Sequence, residues 1–310
     1  MSFVHIPVLL EQAVALLAVK KNGIYVDCTL GGGGHSNYIL NKLEGTGQLY
    51  SFDQDIRAIS NAKEKFAAVK NITIVHSNFE NLVSKLAELN VAEIDGVLYD
   101  LGVSSPQLDE GERGFSYQQD AQLDMRMDKN IKITAQQVVN GLEESELSHI
   151  FWQYGEERWA KRVAQFIVAE RKNKQIITTG ELVTIIKKAI PKAARKEGPH
   201  PAKRVFQALR IYVNRELEVL EKSLEQAISL LKPGGRLSVI TFHSLEDRIV
   251  KQFIKEKATG CKCPPHLPMC VCGQEPVVKN LTKKAIEATA EEIEVNPRAR
   301  SAKLRGCEKY

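Results

Sequence analysis

The chain has 310 residues, 43% of them hydrophobic and 26% charged, which is enough apolar material for a core and excludes a disordered polymer. Its 43 basic residues exceed 38 acidic ones by only +5, and six cysteines are too few for a disulfide scaffold. The early apolar run from Ala13 to Val19 is too short to span a bilayer and lacks the flanks of a signal peptide, so a cytoplasmic protein without membrane contact is expected.

Residues 24–28 (IYVDC) form an apolar run that closes on a glycine cluster, and a helical stretch follows. Residues 48–52 (QLYSF) close on Asp53, residues 71–76 (NITIVH) make a third run, and residues 94–99 (IDGVLY) close on Asp100. Short apolar runs spaced by helical segments predict a parallel sheet with right-handed crossovers. From Leu101 to about Leu217 the pattern is helical, and Trp159, Val163, Phe166 and Ile167 recur as a core stripe. Leu231–Gly235 (LKPGG) reads as a turn and Arg236–Phe242 (RLSVITF) as the next strand. The expected fold class is α/β, a doubly wound sheet interrupted after its fourth strand by an inserted all-helical domain. The expected boundaries are 1–105 with 217–310 for the sheet domain, and 106–216 for the insert.

The run Asp27-Cys28-Thr29-Leu30-Gly31-Gly32-Gly33-Gly34-His35 lies between a predicted strand and a predicted helix. Glycines there allow a sharp turn and a close backbone approach to a ligand. Asp53 follows Gly31 by 22 residues, where a carboxylate can accept from both hydroxyls of a ribose. A dinucleotide site prefers a third glycine where Ser36 stands, which weighs against a nicotinamide-dependent oxidoreductase. S-adenosylmethionine needs different partners: an acid for its ammonium, which Asp27 beside the loop offers, Asp53 for the ribose, and an apolar ring for the adenine. Phe79, three residues past the third run, suits the adenine or simply packs in the core.

The charge is uneven. Between Ile186 and Arg215 nine cations face only Glu197, a local +8, and Val295–Tyr310 carries five cations against Glu308, or +4. The remainder is −7. Two basic segments on an acidic body fit polyanion binding, although a solvated helix face and a loose tail would look the same. A non-enzymatic RNA-binding assembly protein therefore stays open beside a methyltransferase.

Several blocks together are specific. His5–Leu10 (HIPVLL), Asp27–His35 (DCTLGGGGH), Asp100–Asp109 (DLGVSSPQLD), Arg113–Ser116 (RGFS), Leu123–Asp128 (LDMRMD) and Tyr154–Glu157 (YGEE) occur in this order. His200–Leu217 (HPAKRVFQALRIYVNREL), Phe242–Arg248 (FHSLEDR) and Asn296–Arg305 (NPRARSAKLR) complete the set. With them the chain resembles the RsmH (MraW) family of bacterial 16S rRNA cytosine-N4 methyltransferases over nearly its whole length. The resemblance implies a class I (Rossmann-like) methyltransferase domain with the helical insert as RNA recognition domain. It implies S-adenosylmethionine as cofactor and, as substrate, a cytidine in the decoding centre of 16S rRNA, within a small ribosomal subunit or an assembly intermediate. The cofactor positions it implies are Gly33, Gly34, His35, Asp53, Phe79, Asp100 and Gln107.

The exocyclic amine of cytosine is a weak nucleophile, because its lone pair is delocalised into the ring. A hydrogen-bond acceptor on the amine and an in-line arrangement of nitrogen, methyl and sulfur would help it. Many amino-methylating enzymes place an Asp/Asn/Ser-Pro-Pro-aromatic block after the fourth strand. Here that block is Asp100-Leu101-Gly102-Val103, so Asp100 is the candidate catalytic acceptor, serving cofactor, amine or both. His243 and Glu246 fall at the same sheet edge, either to touch substrate or beside a helix capped by Ser244; His5 either covers the cleft or anchors the first helix. No metal is needed for the transfer. Cys261, Cys263, Cys270 and Cys272 form two C-x-C pairs that read either as a zinc site of unusually tight spacing or as a reduced loop.

Overall fold

The computed structural model describes residues 7–103, 111–195, 200–260, 263, 264, 269 and 271–310. Contacts divide the chain into two compact units, Met1–Gly102 with Leu217–Tyr310, and Val103–Glu216. The expected boundary between residues 105 and 106 lies outside the described residues.

The first unit is built on strands β1 (Ile24–Asp27), β2 (Gln48–Asp53), β3 (Ile72–His76), β4 (Ile94–Asp100), β5 (Leu231–Thr241), β6 (Val278–Asn280), β7 (Ile286–Glu287) and β8 (Lys303–Lys309). The sheet order is β3-β2-β1-β4-β5-β8-β6, with β7 also paired to β8. β3, β2, β1, β4 and β5 run parallel, while β8 is antiparallel to β5, β6 and β7. The central strands β1 and β4 are buried on both faces, which accounts for their apolar runs, whereas the edge strand β3 is only half-buried. On β4, Val97 and Tyr99 join a core with Leu82, Leu86, Leu220, Leu224, Val250 and Ile254, whereas Leu98 points into a second core with Ala13, Leu17, Ile39 and Leu43. The helices supplying these side chains are α1 (Leu10–Leu17), α2 (Gly34–Leu43), α4 (Leu82–Glu88) and, after the helical unit, α10 (Glu216–Leu230) and α11 (Ser244–Thr259), while α3 (Ile56–Lys65) adds Ile59 and Ala62 to the second core. The strand order reverses between β1 and β4, and this is the edge at which open α/β sheets hold ligands.

Two expectations change. The LKPGG stretch is part of β5: Ile94 pairs with Leu231 and Gly96 with Arg236, so the intervening residues bulge out of the ladder, with Gly234 at φ 77°. Part of the basic tail is an interior strand, β8, whereas Arg298 and Arg300 are exposed on a 3-10 turn, Pro297–Ser301, that precedes it. Arg305 on β8 is only 8% exposed, and its guanidinium holds Asp247 of α11 through Nε (2.6 Å) and Nη2 (3.2 Å).

The second unit is helical, with α5 (Ala135–Gly141), α6 (Glu144–Gly155), α7 (Ala160–Arg171), α8 (Thr179–Ala189) and α9 (Ala202–Asn214) around one apolar core. Val163 and Ile167 are fully buried in that core, with Trp159 and Phe166 packed against it. α8 and α5 start at capping boxes, Thr178 with Glu181 and Thr134 with Gln137. Part of the basic segment is structural: Lys188 pairs with Glu170 at 2.8 Å, Arg210 holds Glu216 through two bonds of 2.8 Å, and Arg204 donates to the Glu156 carbonyl at 3.0 Å. Lys196 and Glu197 lie outside the described residues.

Candidate functional site

The glycine turn follows β1 and is tied to its neighbours by main-chain bonds. The Leu30 N–H donates to the Phe52 carbonyl at 2.9 Å, and the Gly31 N–H to Asp53 Oδ2 at 2.9 Å. Gly31 and Gly33 have φ 49° and 70°, the left-handed region that penalises a side chain. A Cβ at Gly33 would also sit 2.9 Å from the Phe66 ring, and one at Gly34 would run into Pro7. Gly33 is the N-cap of α2 and supplies no side-chain acceptor for its first turn.

Asp27 is fully buried and keeps both oxygens inside. Oδ1 accepts from the Thr29 N–H at 3.0 Å, and Oδ2 accepts from Ser36 Oγ at 2.7 Å, with Ser36 in turn 2.8 Å from Ser51 Oγ. This corrects the expectation that Asp27 meets a ligand ammonium: its carboxylate fastens the turn to α2. It also explains Ser36 in place of a third glycine, since the hydroxyl is a buried member of that network. Thr29, which stands where the commoner class I loop D-x-G-x-G-x-G has its first glycine, accepts the Asp100 N–H on its Oγ1 at 2.6 Å and so clamps the ends of β1 and β4 together.

Asp53 ends β2, with Oδ2 on Gly31 and Oδ1 on the Asp55 N–H at 2.8 Å. Burial pushes its carboxyl up to about 6, against the lowering pull of those two N–H groups and with Asp55 and Asp27 adding repulsion. Asp100 ends β4, its side chain 19% exposed. Its Oδ2 lies 3.5 Å from His35 Nδ1, while its buried Oδ1 has no hydrogen-bond partner among the described residues. Burial raises this carboxyl to about 6, opposed by His35 and assisted by Asp27 and Glu246. His35 is buried in the first turn of α2, with Nε2 3.2 Å from the Val8 carbonyl. A carbonyl only accepts, so Nε2 carries the proton, and Nδ1 offers Asp100 a lone pair unless the ring is charged.

Phe79 stands in a single 3-10 turn (Phe79–Asn81) after β3, half-buried, with its ring 5.5 Å edge-to-face from Tyr99. Asn78 fixes this turn by accepting the Glu80 N–H at 2.9 Å and donating to Gln54 Oε1 at 2.8 Å. Past β5, the residue capping α11 is His243 rather than Ser244. Its side chain accepts the Glu246 N–H, and Glu246 Oε2 accepts from the N–H groups of Phe242 (2.9 Å) and His243 (3.2 Å). Gln107 and His5 lie outside the described residues, as do Cys261 and Cys270; Cys263 Sγ accepts the Val271 N–H at 3.3 Å.

Gly33, Gly34, His35, Asp53, Phe79 and Asp100 thus share the carboxyl edge of β1, β2, β3 and β4. Sequence reasoning missed Thr29 and Ser36. The signal for both was their mismatch to the glycine patterns of known cofactor loops. The edge is rich in acids: Asp55 and Asp27 raise the proton affinity of Asp53, and Asp27 and Glu246 raise that of Asp100. Such a site fits a cationic ligand, which relieves the repulsion, and the partnerless Asp100 oxygen fits a donor group.

The family model described as the MraW methylase family matches residues 2–310. The chain is 57% identical over 310 residues to a protein of Clostridioides difficile named ribosomal RNA small subunit methyltransferase H, covering all of both chains. It is 55% identical over 309 residues to the protein of that name from Clostridium botulinum, again covering both in full. It is 53% identical over 310 residues to the one from Brevibacillus brevis, covering 100% of this chain and 99% of that one. Among the described residues, no helix is long and apolar enough to cross a membrane.

Proposed function

The chain belongs to the MraW methylase family, and we propose that, as an S-adenosylmethionine-dependent methyltransferase of small-subunit ribosomal RNA, it methylates the exocyclic N4 amine of a cytidine in the decoding centre of 16S rRNA. The observation that carries the reading is Asp100 Oδ1, buried and without a partner among the described residues at the strand-order reversal beside the glycine turn. S-adenosylmethionine supplies the methyl group on a sulfonium that is already a good leaving group.

The residues divide the remaining work. Gly33, Gly34 and His35 open the first turn of α2, whose uncapped N–H groups and bare backbone receive the amino-acid end. Asp53 retains lone pairs beyond those spent on Gly31 and Asp55, and these accept the two ribose hydroxyls. Phe79, buttressed by Tyr99, lies against the adenine. Asp100 is the catalytic candidate. Oriented by Thr29 and His35, it presents Oδ1 to the cofactor ammonium and to the amine of the incoming base, and accepting from that amine frees its lone pair for attack. A carboxyl raised to about 6 is also better matched to taking up the amine proton near neutral pH than an ordinary aspartate. Gln107 joins the cofactor site by resemblance to the family.

The substrate side rests on the cations of the helical unit that intramolecular bonds leave exposed, Lys187, Lys192 and Lys203 among them, which suit phosphates of the rRNA. A base that has left its pairing is the natural target, because N4 is occupied in a duplex. The working partner is a small ribosomal subunit or an assembly intermediate, hence a cytoplasmic setting. Methyl transfer from labelled S-adenosylmethionine onto isolated small subunits, followed by mapping of the modified base, tests the proposal. A methyl group on N4 of a decoding-centre cytidine is expected, and a different base or position would overturn it.

A further inference from the structure

In the helical unit an aromatic ladder runs from the core to the surface. Phe206 on α9 is 3% exposed and meets Tyr117 edge-to-face, with centroids 5.9 Å apart and planes at 84°. Tyr117 in turn stacks flat on His200, with centroids 4.7 Å apart and planes inclined by 7°. Both outer rings are half-buried. Tyr117 covers one face of the imidazole, and His200 keeps part of its surface exposed.

The imidazole is held neutral and fixed. His200 Nδ1 accepts the Ala202 N–H at 3.2 Å, which leaves the proton on Nε2, and burial followed by the nearby Lys187 pushes the ring below the ordinary histidine range. Capping α9 requires only an acceptor, which Asn, Ser or Asp would supply. It does not require a ring laid parallel to a tyrosine. Cations flank the ladder: Lys187 is exposed on α8, and Lys203 is exposed on the first turn of α9, its N–H donating to the His200 carbonyl at 2.9 Å. A flat ring backed by a second ring, with ammonium groups at its margin, is the arrangement that holds an unpaired base and its phosphates, since every base has a π-face.

We propose that His200, backed by Tyr117, is a stacking platform for an unpaired nucleobase of the RNA substrate, with Lys187 and Lys203 at the adjoining phosphates. The proposal rests on the RNA methyltransferase reading above and adds a base contact to what cations alone provide.

Two variants of the full chain separate the ring from the cap. His200→Asn keeps an acceptor for Ala202 and removes the ring; His200→Phe keeps the ring and removes the acceptor. Affinities are measured for a short single-stranded RNA and for the same strand carrying abasic positions. On the intact strand His200→Asn should bind about tenfold more weakly than wild type, and His200→Phe within about twofold of it. On the abasic strand wild type and His200→Asn should bind alike. Intact-strand binding by His200→Asn equal to wild type, or an equal loss in both variants, would overturn the platform. Wild-type methyl transfer to small subunits, measured alongside, keeps the two readings apart. If it proceeds while His200→Asn binds normally, the platform alone fails; if wild type transfers no methyl group to RNA, the underlying reading fails.

Discussion

Replacing Asp100 by Asn preserves the shape of the side chain and removes its charge, with opposite effects on stability and on cofactor binding. The folded carboxyl titrates at about 6 against 3.8 for a free aspartate. At 1.36 kcal/mol for each tenfold in proton affinity, ionising this group destabilises the folded state by roughly 3 kcal/mol. The folded state binds the proton more tightly than the unfolded one, so this contribution is absent below the unfolded pKa. It grows as pH rises from about 4 to about 6 and stays constant above. In the variant the amide nitrogen can donate to His35 Nδ1, leaving the oxygen at the Oδ1 position. Urea unfolding should therefore find Asp100→Asn more stable than wild type by ~1–3 kcal/mol near pH 8 and indistinguishable from it near pH 4. Titration calorimetry should find S-adenosylmethionine bound ~10–100-fold more weakly, the loss expected when a hydrogen bond to a charged group becomes neutral. Full turnover with unchanged cofactor affinity would refute the assignment of Asp100, and lower stability near pH 8 would refute the electrostatic account of it.

Gly33→Ala places a Cβ at φ 70° and 2.9 Å from Phe66. It should cost ~2–4 kcal/mol in chemical denaturation and abolish calorimetric binding of S-adenosylmethionine, because the turn must move. Phe79→Ala removes a half-buried ring and its edge contact with Tyr99; about tenfold weaker cofactor binding is expected, with a stability loss near 1 kcal/mol. A loss in stability alone would return Phe79 to the core. Arg305→Ala leaves Asp247 to the Lys303 ammonium at 3.7 Å and should lower the unfolding free energy by about 2 kcal/mol, while cofactor affinity measured well below the midpoint stays unchanged.

Much of this was legible in the sequence, for physical reasons that also mark the limits. β1 and β4 announce themselves because strands buried on both faces need nearly continuous apolar runs, and each of Asp27, Asp53 and Asp100 closes a run because the next residue leaves the sheet. The role of Asp27 was not legible. An acid beside a glycine loop reads the same whether it faces a ligand or, as here, Thr29 and Ser36. The basic tail misled for a related reason: alternation in Lys303–Lys309 is weak, and only the pairing with Asp247 turns Arg305 from a surface cation into an interior one. LKPGG has the composition of a turn and makes a bulge, because the flanking residues Leu231 and Arg236 still find partners on β4. The Tyr117–His200 stack joins residues 83 positions apart and has no local signature at all.

The position of β8 has a consequence for biosynthesis. This strand lies inside the sheet, bonded to β5 on one side and to β6 and β7 on the other, yet it follows all of them in the chain. While the nascent polypeptide is being extended, β5 must wait with an unpaired edge, and Asp247 without its guanidinium, until residues 303–309 have left the exit tunnel. Ribosome-bound chains stalled shortly before Lys303 should therefore recruit holdase chaperones through that open edge, and chains extended far enough to free residues 303–309 from the tunnel should not.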